Sequence, residues 1–141
     1  MTLALAAELL LRIQREGERA YPDEGAGFLL GLGGDRRIVM DIVATRNLGV
    51  DGTSHNRYMI SPADYVQAEQ EAESLKMDVL GVFHSHPDHP DEPSEFDRDW
   101  AQPNFSYVIT SVRKGEAVAS RSWLLTTDRT GFEEEALELI R

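Results

Sequence analysis

The sequence predicts an α/β (α+β) fold: a single domain spanning 1–141 with a central mixed β-sheet flanked by helices. Three observations carry this. Segments of helical period and of strand character are interleaved, which places helices against a sheet. The run Val79 to Phe83 is apolar without interruption, the mark of a strand buried on both faces. At 141 residues the chain suits one compact core, and no repeat, linker or low-complexity segment divides it.

Taken in order, the chain opens with Thr2 as a cap. Ala6, Leu9, Leu10 and Ile13 then fall at i, i+3, i+4 and i+7, predicting an amphipathic helix to about Arg19. The run Leu3 to Leu11 lacks a basic start and is broken by Glu8, so it reads as a helix and not as a signal peptide, and the protein as cytoplasmic. Tyr21 to Gly27 breaks the helix. Phe28 to Gly31 is a strand, Gly33-Gly34-Asp35 a turn, and Ile38 to Ala44 a second strand pairing with it as a hairpin. Asn47 to Asn56 reads as an irregular loop and Arg57 to Ile60 as a brief strand. Ser61-Pro62 starts a helix whose face is Tyr65, Ala68, Ala72 and Leu75, running to about Lys76. After the buried strand, Ser94 to about Ala101 is a short helix. Tyr107 to Val112 and Val118 to Leu125 are strands about a turn, and the tail from Phe132 is ambiguous between helix and strand.

The formal charge of −11 favours neither nucleic acid nor an anionic membrane surface as partner. Its densest point, Glu133-Glu134-Glu135, reads as solvated surface, and no stretch approaches the length of a membrane span. There is no cysteine, which excludes disulfides, thiolate zinc sites and a cysteine nucleophile. Any metal must be held by histidine and carboxylate.

His84-Ser85-His86 supplies such a set. Two residues apart on an extended chain, His84 and His86 point to one side. Asp97 follows in Ser94-x-x-Asp97, the start of the short helix. Two imidazoles and a carboxylate, with a fourth position for water, form the ligand set of a catalytic zinc site. Ser94 and Asp97 also have a purely structural reading, as helix cap and first-turn acid, and the two readings are compatible. His84-x-His86-x-Asp88-His89 also matches a binuclear metallo-β-lactamase-type signature, but no further histidine follows to complete it. On this reading Asp88, His89 and Asp91 belong to a solvated loop, and His55 to another.

With His84-x-His86-Pro87, Ser94 and Asp97 in place, the chain resembles the JAMM (MPN-plus) metalloprotease family. Tyr21 to Gly31 is similar to the family's first segment, and the resemblance continues through Tyr58 to Pro62 and Tyr107 to Ser111. It implies the JAMM/MPN (cytidine-deaminase-like) fold in a minimal prokaryotic form, with one Zn2+ per chain on His84, His86 and Asp97. It also implies Glu24 as general base beside the metal and Ser94 as the oxyanion donor. Many prokaryotic members carry cysteine where this chain has Gly25 and Ala26. The implied substrate is an amide bond after the C-terminal Gly-Gly of a ubiquitin-like or sulfur-carrier β-grasp protein, with Asn47 to Asn56 and Asp88 to Pro93 as groove walls. A homodimer through the N-terminal helix is compatible with it. The alternatives are a metal-free MPN-type scaffold and the binuclear hydrolase.

Overall fold

In the computed structural model, which describes residues 2–45 and 60–140, seven strands form one closed barrel. The strands are β1 (Thr2–Ala6), β2 (Ala26–Leu32), β3 (Arg36–Thr45), β4 (Asp78–Pro87), β5 (Ser106–Arg113), β6 (Glu116–Leu125) and β7 (Phe132–Ile140). Their order around the barrel is β1-β3-β2-β4-β5-β6-β7. The sheet is mixed, as expected: β1 runs parallel to both its neighbours and β4 parallel to β5, while the other pairings are antiparallel. Helices α1 (Ala7–Ala20), α2 (Pro62–Ser74) and α3 (Glu95–Trp100) lie against it.

The N-terminus departs from expectation. Thr2 does not cap a helix; Thr2–Ala6 is a strand paired on both sides, to β3 and to β7. Leucine and alanine favour helix locally, but Leu3 and Leu5 become fully buried by pairing, and tertiary packing overrides propensity. The ambiguous tail resolves as β7. Along it Glu133 and Glu134 are exposed while Glu135 turns inward to 2% exposure, so the acidic run is not all solvated surface. Glu135 accepts a hydrogen bond from Ser122 Oγ at 2.8 Å. The hairpin of β2 and β3 forms as predicted. The loop Asn47 to Asn56, His55 and the brief strand from Arg57 lie outside the described residues.

Two apolar clusters share the sheet. Leu3, Leu5, Leu29, Phe83 and Val108 meet across the barrel interior, joined by Leu9 and Ile13 of α1. Phe28, Leu30, Val82 and Tyr107 face outward against Ala68 and Ala72 of α2. Leu75 was expected on that packed face but is 46% exposed, because the helix has ended at Ser74. Both later helices are capped as the sequence indicates: Ser61 with Asp64, and Ser94 with Asp97, form reciprocal capping boxes.

Candidate metal centre

Strand β4 delivers the histidines. Its ladder with β2 shifts register between Leu29 and Leu30, so β4 carries a bulge near Leu80 and Gly81. A side chain at Gly81 has no room: a Cβ there would lie 1.9 Å from the Ser106 carbonyl oxygen. Past the bulge, alternation resumes. Val82, His84 and His86 share the outward face toward α3, while Phe83 and Ser85 turn inward. The strand continues to Pro87, so both histidines stand within the ladder and not in the loop beyond it.

The same ladder explains why Glu24 arrives. Ala26 pairs with His84, so the chain two residues earlier lies alongside His86. Ser85 anchors it there: its N–H donates to the Gly25 carbonyl at 2.9 Å, and its Oγ accepts from the Gly25 N–H at 2.8 Å. Asp97 comes from the first turn of α3. Glu24, His84, His86 and Asp97 are all buried, at 3%, 1%, 8% and 3% exposure.

His86 Nδ1 lies 2.8 Å from the Pro90 carbonyl oxygen. A carbonyl only accepts, so Nδ1 bears the proton and Nε2 presents its lone pair in the neutral ring. Nε2 faces Asp97 Oδ2 at 3.1 Å, and that oxygen also accepts from the Ser94 N–H at 2.8 Å. A lone pair facing a carboxylate oxygen is repulsive unless a proton or a metal ion lies between them. In the metal-free protein the proton takes that place. Burial pushes the His86 pKa down, but the hydrogen bond and charge of Asp97 raise it above its ordinary value. Burial likewise pushes Asp97 up, and the charge of His84 with the hydrogen bond from His86 holds it at about 2.

The donor set also fits an ion. His84 Nε2 to Asp97 Oδ1 is 3.5 Å and His86 Nε2 to Asp97 Oδ2 is 3.1 Å. These bracket the edge of about 3.3 Å that ligands at zinc distances make in a tetrahedron. Glu24, His84 and His86 can also be drawn as a ligand group, but within a wider limit of 4.8 Å. Glu24 Oε1 stands 3.8 Å from His84 Nδ1, on the side of that ring away from Asp97. The set with Asp97 is the tighter of the two by these distances. The cavity at the centre, about 210 Å3, is lined by Glu24, His86, Ser94 and Asp97, with His89 and Phe96. Among the described residues no lysine or arginine lines it, so two buried carboxylates call for a cation. A larger cavity of about 1000 Å3 runs along α2, and no histidine lines it among the described residues.

The neighbouring loop departs from the solvated reading in part. Asp88 is exposed and turned from the centre, accepting from Tyr21 Oη at 2.6 Å and the Lys114 N–H at 2.8 Å. That orientation does not serve the binuclear signature. His89 is exposed and borders the cavity. Asp91, however, is only 8% exposed and pairs with Arg121 at 3.1 Å, a contact that chain spacing does not reveal. The orienting carbonyl of Pro90 and the Ser85–Gly25 clamp were also missed, since backbone partners leave no motif.

A family model described as prokaryotic homologs of the JAB domain matches residues 6–126, most of the chain. The chain belongs to this family. A desampylase of Haloferax volcanii is 32% identical over 113 residues, covering 77% of this chain and 80% of the relative. A solution structure from Desulfitobacterium hafniense superposes with a TM-score of 0.85 at 29% identity, covering 99% of this chain and 93% of that one. A JAB1/MPN domain protein of Archaeoglobus fulgidus shares the fold, with a TM-score of 0.62 at 21% identity over 99% and 98% of the two chains. As a prokaryotic JAB protein with its site residues converged, the chain is a JAMM-type hydrolase. Among the described residues, no helix is long and apolar enough to cross a membrane.

Proposed function

We propose that the protein is a zinc-dependent peptidase or isopeptidase. It hydrolyses the amide bond after the C-terminal Gly-Gly of a ubiquitin-like or sulfur-carrier protein in the cytoplasm. The observation that carries the reading is the fixed tautomer of His86, which aims a lone pair at Asp97 beside buried His84 and Glu24. The relative named desampylase supports a ubiquitin-like protein as substrate.

In this reading His84, His86 and Asp97 hold the ion. Bound there, Zn2+ supplies Lewis acidity that lowers the pKa of a water ligand from 15.7 to about 7. Glu24, buried beside the ion, takes a proton from the attacking water and passes it to the departing nitrogen. Ser94 Oγ already accepts from the Asp97 N–H at 3.1 Å, yet its own proton remains to be donated. It goes to the oxygen of the tetrahedral intermediate, so capping and catalysis coexist in one hydroxyl.

The test pairs activity with metal content. Glu24→Gln is expected to keep one zinc per chain and lose about 10²-fold or more in cleavage. His86→Ala and Asp97→Asn are expected to lose the zinc. If Glu24→Gln loses the metal instead, Glu24 is a ligand; if it cleaves at the wild-type rate, the mechanism is wrong.

A further inference from the structure

The loop that follows the histidine strand is held at each residue from Asp88 to Glu92. Asp88 accepts from Tyr21 Oη and the Lys114 N–H. The His89 carbonyl accepts from Ser111 Oγ at 2.6 Å, and the Pro90 carbonyl faces His86 Nδ1 at 2.8 Å. Asp91 is gripped twice from β6: Arg121 Nη2 reaches its Oδ1 at 3.1 Å, and Trp123 Nε1 donates to its carbonyl at 3.0 Å. Glu92 takes the same Nη2 at 3.0 Å. The loop is a fixed wall, and its fixed points straddle the one carbonyl that orients His86.

The chemistry of proline makes this arrangement strict. Peptide units are planar, and the proline ring locks φ at about −65°. Ser111 holds the peptide unit before Pro90. From there the direction of the Pro90 carbonyl depends on one soft dihedral, ψ of Pro90, which also sets where Asp91 goes. Holding Asp91 by its side chain and its carbonyl therefore fixes the acceptor of the His86 Nδ1 proton. Asp91 is 8% exposed, so its charge needs a cation, and Arg121 supplies it. Arg121 is itself steadied: its guanidinium lies over the Trp123 ring, 5.0 Å from the centroid, and Glu134 of β7 stands 3.6 Å from Nη1.

We infer that Arg121 is a positioning residue of the metal centre: through Asp91 and the Pro90 carbonyl it keeps the His86 Nε2 lone pair aimed at the ion. The inference rests on the zinc reading above and deepens it. Arg121 acts at one remove, from a strand that carries none of His84, His86 and Asp97. Without the guanidinium, Asp91 is a buried carboxylate that has lost its cation. The loop relieves this by turning Asp91 toward water. That turn is made about ψ of Pro90, and it takes the Pro90 carbonyl off Nδ1. The imidazole is then free to rotate and to carry its proton on either nitrogen. Zinc must in that case pay for ordering the ring that the loop had ordered in advance.

The experiment uses the full chain with zinc and needs no substrate. It measures zinc affinity by competition with a chelator. It also follows the His86 Nδ1 proton of the zinc-loaded protein by isotope-edited NMR. Arg121→Gln is expected to weaken zinc binding about tenfold, the lower end of the 10–100-fold typical of outer partners, because it acts at one remove. The Nδ1 proton signal should be lost to exchange with water. Arg121→Lys should recover part of the affinity, since an ammonium restores the charge without the planar fork. Trp123→Phe, which keeps a ring and removes the N–H, should move both readouts the same way by less. Glu92→Gln, at a partner whose side chain is 61% exposed, should move neither. A lower Tm in Arg121→Gln with zinc affinity and proton signal unchanged makes Arg121 a structural residue only and overturns the inference. So does a loss in Glu92→Gln equal to that in Arg121→Gln. Should Arg121→Gln not fold, Trp123→Phe decides: both readouts at their wild-type values overturn the inference. Wild-type protein that binds zinc and cleaves no Gly-Gly-linked substrate overturns the hydrolase reading alone, and wild-type protein that binds no zinc overturns both.

Discussion

His86 touches both chain directions: the Pro90 carbonyl holds its Nδ1, and Asp97 faces its Nε2. Proton and metal ion therefore compete for one lone pair, and they predict opposite responses to pH. In the metal-free protein the His86 pKa is raised above its ordinary 6.5 by Asp97, against the opposing effect of burial. A group whose pKa is raised on folding contributes stability that is fully present below about 6.5 and lost as pH rises through the folded value. Metal affinity runs the other way, because a ligating imidazole must be deprotonated. We expect the metal-free protein to gain in Tm relative to His86→Gln as pH falls from about 8 to 6. The zinc-loaded protein should lose metal to a chelator over the same interval. A metal-free Tm difference that is flat with pH would remove the Asp97–His86 proton from the account. At this scale His84, His86 and Asp97 were legible in the sequence, since period two on a strand and a cap spacing are local signals. Glu24 was not legible by that route. It meets His86 through strand register, and only the resemblance to a family singled it out.

Ser85 joins three elements, and its position between the histidines puts it on the other face of β4. There it clamps Gly25 at the end of β2 through two hydrogen bonds. It also packs against α1 at Gly17, where a Cβ would come within 2.9 Å of the Ser85 Cβ. Helix, hairpin and the strand that carries the histidines are thus fixed to one another at one buried hydroxyl. Ser85→Ala leaves the Gly25 N–H without its acceptor, at a cost of roughly 1–3 kcal/mol. Glu24 loses its tether while His84, His86 and Asp97 keep theirs. The expected result is a fall in kcat with one zinc still bound per chain, separable from the metal loss of His86→Ala by elemental analysis. A kcat unchanged in Ser85→Ala would show that the clamp does not position Glu24. Among the elements themselves, α2 and α3 were legible because Ser61-Pro62 and Ser94-x-x-Asp97 are chemical start signals. β1 was not, because Leu and Ala favour helix and only its partners on both sides make it a strand. Those partners, β3 and β7, are distant in sequence, and no local window contains them.

Barrel closure depends on the last strand of the chain. The family match ends at residue 126, yet β7 at Phe132–Ile140 pairs with both β6 and β1 and completes the ring. Without it, β1 loses the longer of its two ladders, five register pairs against three with β3. Leu3 and Leu5, now at 0% exposure, would face an open edge. Exposing two leucines costs roughly 1.5–3 kcal/mol each, a large share of the 5–15 kcal/mol that separates a typical folded domain from its unfolded chain. The loss also frees two strand edges, on β1 and β6, to pair with other molecules. His84, His86 and Asp97 lie on β4 and α3 and none on β7, so the damage is to folding first. A chain ending after residue 131 is expected to melt without a cooperative transition and to associate, read by circular dichroism and light scattering. If the shortened chain instead melts cooperatively as a monomer and still binds one zinc, β1 and β6 can be edges, and closure is not what holds the histidine strand in place.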